Sequence, residues 1–90
     1  MKTLICGIPF TVVEADAILT GGARFGECDV MGATITVNRH CSQEQKAATL
    51  VHEWLHGVCG CNGTSQNEDW VGVVATELYR QGFRVVTYDD

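Results

Sequence analysis

The amino-acid sequence predicts an α+β fold in which a small, mainly antiparallel sheet packs on two helices. Two observations predict this class: short apolar or alternating runs come first in the chain, and two longer helical patterns follow them. The 90 residues contain no linker, internal repeat or low-complexity tract, so we expect a single domain over residues 1–90. A hydrophobic fraction of 46% is typical of a globular protein and excludes disorder throughout the chain.

The strand signals lie in the first half of the chain and at its end. Apolar runs at residues 2–6 and 10–13 flank a Gly-Ile-Pro segment and predict a hairpin or a kinked strand pair. Residues 33–37 alternate threonine with apolar residues, which is the pattern of a half-buried strand. Residues 83–88 alternate in the same way and predict a short terminal strand.

The first helix is predicted to begin after Ser42. Ser42 fits an N-cap and Gln45 the N3 position of a capping box. We expect the helix to end at Gly57 or Gly60. Its apolar stripe consists of Ala47, Val51, Leu55 and Val58.

The second helix is predicted to begin within residues 65–68 and to stop at Gly82. Its apolar face comprises Val71, Val74, Ala75 and Leu78. Two helices after a run of strands complete the predicted α+β order.

Composition argues against several classes of partner. The net charge is −5 and the six basic residues are scattered, so nucleic acid and anionic membrane surfaces are not expected partners. No apolar run approaches the roughly 20 residues that span a bilayer. The first residues superficially suggest a signal peptide, but Gly7 and Pro9 interrupt the apolar stretch. We interpret that stretch as a buried first hairpin and expect a cytoplasmic protein.

The five cysteines make an odd count, which does not favour a secreted disulfide scaffold. Most are interpreted as small buried hydrophobic residues in a reducing cytosol. Cys59 and Cys61 are the exception, because two thiols in a glycine-rich loop could chelate a metal. Their spacing is shorter than in zinc knuckles and no second Cys pair exists, which argues against a structural metal bound by cysteines. Such a metal is the alternative to the site described next.

The sequence His52-Glu53-Trp54-Leu55-His56 lies on the first predicted helix. Residues four apart on a helix share one face, so both imidazoles can reach one metal ion. Glu53 stands beside this pair, where it can accept a proton from a zinc-activated water. This is the HExxH motif of zinc hydrolases, and a chance match in a chain with three histidines is rare.

A catalytic zinc usually has three protein ligands, so a third must come from elsewhere. The metzincin continuation fails, because Cys59 and Asn62 stand where that pattern needs glycine and histidine. Glu68 and Glu77 on the second helix remain as candidates for the third ligand. They are nine residues apart, and at about 100° per residue this spacing places them on opposite sides of the helix. Glu68 is nearer the loop, although it also fits the N3 position of a Ser65 capping box. From spacing alone both roles stay open.

Other polar residues give weaker signals. Arg39 and His40 follow the predicted strand and are candidate substrate contacts, the alternative being a solvated loop. Asp69 is a candidate to orient a ligand histidine through its second ring nitrogen. Packing roles are expected for Trp54, Trp70 and Tyr79. Tyr79 is about 16 Å from Glu68 along the helix axis, too far to assist a metal directly.

The chain resembles the small zincin-like metallopeptidases encoded by phages and mobile elements, minimal relatives of the ImmA/IrrE-type gluzincins. The segments that carry the resemblance are residues 8–12, 26–29, 33–37, 49–56 and 68–71, with the helix running on through 75 and 78–79. Only the HExxH segment is specific by itself. The resemblance implies one zinc per chain, with Glu68 as the third ligand beside His52 and His56. The chain departs from the pattern in the Cys- and Gly-rich segment 59–64.

The resulting hypothesis is a zinc metallopeptidase that hydrolyses peptide bonds with Glu53 as general base. By resemblance, residues 33–37 would be the edge strand that pairs with an extended peptide or protein substrate. The alternative is a zinc-stabilised protein-binding module without turnover. A structural metal site needs no base at Glu53, which favours the enzyme. In a phage-encoded protein the compartment would be the host cytoplasm, and a protein partner that presents the substrate is conceivable.

Overall fold

The computed structural model describes residues 1–16 and 25–89 and confirms the α+β class. Within these residues, two helices follow four strands. The strands are β1 (Lys2–Ile5), β2 (Ile8–Ala15), β3 (Gly26–Asp29) and β4 (Thr34–Asn38), and the helices are α1 (Gln43–Cys61) and α2 (Glu68–Arg80). Neither helix combines the length and apolar character needed to cross a bilayer.

The four strands form one mixed sheet in the order β1-β2-β4-β3. The outer pairs β1/β2 and β3/β4 are antiparallel, whereas the central pair β2/β4 is parallel. The expected edge position of residues 33–37 is therefore wrong: β4 has a neighbour on each side. The edge next to α1 is β3 instead, whose sequence Gly-Glu-Cys-Asp has no alternation that would predict a strand.

The first two strands form the predicted hairpin. Ile5 pairs with Ile8, so only Cys6 and Gly7 make the turn, with φ of +52° and +78°. Positive φ at both central residues is typical of the two-residue turns that match the twist of a hairpin. The hairpin buries Ile5, Phe10 and Val12, in agreement with the expected buried start of the chain.

Helix α1 begins where the sequence predicts and ends later. Ser42 Oγ accepts a hydrogen bond from the Gln45 amide at 3.1 Å, but the Gln45 side chain donates to Thr49, so the capping box is half formed. The predicted stop at Gly57 or Gly60 is wrong. A Cβ at Gly57 would lie 2.6 Å from Ile5 Cδ1, and these glycines serve close packing rather than termination.

Helix α2 begins at Glu68, with Asn67 as its N-cap. The Asn67 side chain accepts a hydrogen bond from the Trp70 amide at 3.0 Å, the role that the sequence had suggested for Ser65. The helix stops at Arg80 and Gly82 follows with φ of +97°, as predicted. The terminal strand over residues 83–88 is wrong, because only Tyr88 bridges to Lys2.

The core has two clusters, with α1 between the sheet and α2. One cluster lies on the sheet and the other between the helices, with Val51 and Leu55 facing Val71 and Ala75. Trp54 contacts both clusters, which confirms its packing role. Trp70 is 51% exposed, so its expected packing role is wrong. Packing on two sides holds α1 in place, and α1 carries the HExxH residues.

Candidate metal centre

His52 and His56 lie one turn apart on α1, and their ring centroids are 4.9 Å apart. Their side chains are 25% and 12% exposed, so each ring is held by its surroundings and still open to a pocket. Helical spacing alone brings the two rings together, as the sequence predicts. Gly72 on α2 lies beside the His52 ring, and a Cβ there would be 3.9 Å from the ring, an ordinary van der Waals contact.

Glu68, the first residue of α2, supplies a carboxylate to both rings. Its Oε1 lies 2.8 Å from His52 Nε2, and its Oε2 lies 2.6 Å from His56 Nε2. One potential ligand atom from each residue falls within 4.8 Å of the others. Two imidazole nitrogens and one carboxylate oxygen form a donor set that zinc uses in hydrolases. The described residues therefore fit a metal ion at this point.

The structure distinguishes a ligand role of Glu68 from a capping role, and Glu68 from Glu77. Glu68 does not occupy the N3 position of a capping box, because Asn67 caps the helix and Glu68 is its first residue. Glu77 pairs with Arg80 at 2.9 Å and does not line the histidine pocket. The geometry thus joins Glu68, and not Glu77, to the histidines.

The charge state of Glu68 suits a metal ligand. Partial burial opposes ionisation, but hydrogen bonds and charge from His52 and His56 outweigh it and hold the pKa of the Glu68 carboxyl below its usual range. The carboxylate is therefore the prevailing form at neutral pH. An ionised carboxylate is the form that binds zinc.

Gln66 is a functional candidate that the sequence interpretation missed. His56 Nδ1 and Gln66 Oε1 lie 3.2 Å apart, and a hydrogen bond donated by Nδ1 would leave the Nε2 lone pair directed at the site. A glutamine in a loop has no spacing signature that would identify it. Asp69, the predicted orienting residue, is exposed and makes no such bond to either imidazole among the described residues.

Replacing Gln66 should weaken metal binding without removing a ligand. We expect Gln66→Ala to lower zinc affinity about 10- to 100-fold, because the His56 ring loses the acceptor that fixes its tautomer. Competition with a chromogenic chelator measures the change. Gln66→Glu should retain or raise the affinity, since a carboxylate also accepts from Nδ1–H. Equal loss in both variants would assign Gln66 a role in loop structure only.

The histidines open into a pocket of about 670 Å³. Strand β3 forms one wall, α1 the floor, and α2 the opposite wall through Thr76 and Tyr79. Tyr79 was expected in the core and is only half-buried there. It packs against the helical cluster, lines the distant end of the pocket, and has the Arg84 guanidinium 3.9 Å above its ring.

Glu53 lines the same pocket but is 8% exposed. Gly26 allows β3 to approach it, since a Cβ there would meet Thr49 at 2.6 Å and Glu53 Cγ at 3.4 Å. Burial, followed by the charge of Glu53, raises the pKa of the Cys28 thiol to about 12, so Cys28 stays protonated. Glu53 does not belong to the set of potential ligand atoms among the described residues. It lines the same pocket as the three residues of that set.

Other candidates lie away from this pocket. Arg39 and His40 both contact Asp16 at the end of β2 and do not line it, so their predicted role as substrate contacts is not supported. Cys59 and Cys61 lie within α1, not in a loop. Two residues apart on a helix, their side chains diverge by about 200°, which argues against joint chelation.

Comparisons with protein-family models, with curated proteins and with solved structures find no match to this chain.

Proposed function

We propose that this protein is a zinc-dependent metallopeptidase with His52, His56 and Glu68 as zinc ligands and Glu53 as general base. The observation that carries the proposal is the Glu68 carboxylate, which reaches Nε2 of both histidines from a different helix. Local helix geometry explains the histidine pair, but the third donor depends on tertiary structure. A pocket of about 670 Å³ adjoins these groups.

Zinc in such a site polarises a carbonyl and lowers the pKa of a water molecule toward 7. The residues of the chain do the remaining work. Glu53 accepts a proton from the attacking water and transfers it to the departing amine. His52, His56 and Glu68 would hold the ion through three side chains, and a catalytic zinc with three protein ligands keeps one position for water or substrate. Gln66 keeps the His56 ring in the required orientation.

The peptide would bind along β3 rather than β4. Strand β3 is the sheet edge that lines the pocket, and an extended peptide can add to an edge strand through main-chain hydrogen bonds. Addition at β3 would carry the peptide past the metal ligands. The resemblance to zincin-like peptidases supports a peptide or protein substrate, which would pair with β3 instead of β4.

A zinc-stabilised binding module is the second candidate. The site joins α1 to α2 at the open end of their shared core, so metal binding would stabilise the helical pair. Such a module does not need an acidic side chain in the pocket floor. Glu53 therefore favours the enzyme. We place the protein in the cytoplasm, which its five free thiols support.

We expect one zinc per chain, measured by elemental analysis after purification and dialysis. Chelation should lower the melting temperature by on the order of 10 °C, because an ion bound only to the folded state stabilises it. His40→Ala is the matched control, since this third histidine lies outside the pocket and should leave zinc content unchanged. Less than about 0.2 zinc per chain, with no uptake of added zinc, would refute the metal site.

A further inference from the structure

Two thiols from distant parts of the chain meet on the side of α1 that packs against the hairpin. Cys6 lies in the β1–β2 turn and Cys61 is the last residue of α1. Burial, followed by the neighbouring Cys6 thiol, raises the pKa of Cys61. Asn62, the residue after Cys61, links the turn to the helix end: its Nδ2 donates to Cys6 Sγ at 3.2 Å and to the Val58 carbonyl at 2.8 Å.

Both thiols are attached to well-defined backbone. Cys6 occupies a two-residue turn that Ile5–Ile8 pairing closes, and its φ of +52° is a conformation that cysteine rarely adopts. Cys61 is held by the final turn of α1 and by contact with the sheet cluster. The position of Cys6 beside the end of α1 is thus a consequence of the hairpin packing on the helix.

The other cysteines differ from this pair in accessibility or position. Cys59 is buried, and Cys28 is half-buried beside Glu53 with a strongly raised pKa. Cys41 follows β4 and is held there by a bond from its amide to the Asn38 carbonyl. Cys6 is the most exposed of the five cysteines, so it is the thiol that a reagent reaches first.

We propose that Cys6 and Cys61 are a reversible disulfide site that forms by exchange with a small-molecule disulfide such as oxidised glutathione. The Cys6 thiolate attacks one glutathione sulfur, the glutathione S–S bond breaks, and one glutathione leaves and takes up a proton. Cys61 then loses its proton and attacks Cys6 Sγ, which displaces the second glutathione. Two protein thiols are oxidised and one glutathione disulfide is reduced to two thiols, so atoms and electrons balance.

The environment sets the order of these steps. Cys6 is the exposed thiol, and its Sγ accepts a hydrogen bond from Asn62 Nδ2 at 3.2 Å. Partial burial and the adjacent Cys6 raise the pKa of Cys61, so Cys61 is the slower nucleophile. Cys61 therefore acts as the resolving thiol once Cys6 carries glutathione. The link would join the hairpin to the C-terminal end of the helix that carries the metal ligands.

The test treats the zinc-loaded full chain with millimolar oxidised glutathione, blocks the remaining thiols with a maleimide, and maps peptides by mass spectrometry. The expected product is a monomer about 2 Da lighter, with a Cys6–Cys61 cross-linked peptide and blocked thiols reduced from five to three. The cross-link closes a long loop, so the melting temperature should rise by on the order of 10 °C and return after reduction.

Matched variants identify the pair. Cys6→Ser and Cys61→Ser should each abolish the intramolecular link, while Cys41→Ser should form it at the wild-type rate. Cys61→Ser should stop at the mixed disulfide on Cys6. Three outcomes would overturn the proposal: a stable mixed disulfide on wild-type Cys6, a link that uses Cys28, or a link only between two chains. Peptidase activity is not part of the readout, so the result is independent of the proposed reaction.

Discussion

Glu53→Gln is expected to retain its zinc and its fold while peptide hydrolysis falls by a factor on the order of 10² to 10⁴. The amide has nearly the same shape as the carboxylate, so the buried position beside β3 can accommodate it. The glutamine amide cannot act as the proton acceptor. Glu53 itself lies outside the set of potential zinc ligands, so its replacement removes no ligand. Loss of turnover with full zinc content is therefore the signature of a general base.

The measurement compares wild type and variant on a broad peptide library, with zinc content determined on the same samples. Glu44→Gln is the matched control, because Glu44 lies exposed in the first turn of the same helix and outside the pocket. Activity that survives in Glu53→Gln would contradict the assigned base and indicate a contaminating protease. Full zinc occupancy without cleavage by the wild type would favour the binding module.

Glu68→Ala should lower zinc affinity by a factor on the order of 100 or more, exceeding the effect expected for an orienting residue such as Gln66. It removes the donor that reaches both histidines from α2. Glu77→Ala, on the same helix, should change the affinity less than about 2-fold, because an exposed ion pair with Arg80 contributes little. Chelator competition on both variants measures the difference.

The result also discriminates between donor sets. If Glu68→Gln kept wild-type affinity while a Cys59→Ser, Cys61→Ser double variant lost the metal, the site would be a histidine–cysteine one. The helical placement of both cysteines argues for the opposite outcome. We expect the double variant to bind zinc as the wild type does.

Local sequence rules were sufficient for the parts of the site that lie on one helix. Ser42 and the four-residue spacing of His52 and His56 fix α1 and its paired rings without any tertiary information. The prediction that Gly57 ends the helix was wrong because glycine is selected both at helix ends and where two elements pack closely. Only the contact with Ile5 shows that Gly57 has the second role.

The parts that needed tertiary information were missed or left open. Spacing allowed Glu68 to be a ligand or a cap, and the orientation of α2 against α1 brings its carboxylate to the histidines. Gln66 acts through a partner ten positions away, which no periodicity encodes. Strand β3 owes its conformation to pairing with β4 rather than to the β-propensity of its own residues.

The metal ligands are close in sequence as well as in space, since His52 and Glu68 are 16 positions apart. Closing so short a loop costs little chain entropy, whereas the parallel β2–β4 pairing joins segments separated by more than 20 residues, such as Thr11 and Thr34. The helical pair can gather these donors without the sheet, because none of the three ligand residues lies on a strand. In a refolding chain, a zinc ion bound as we propose would stabilise the α1–α2 pair whether or not the N-terminal half has docked on it.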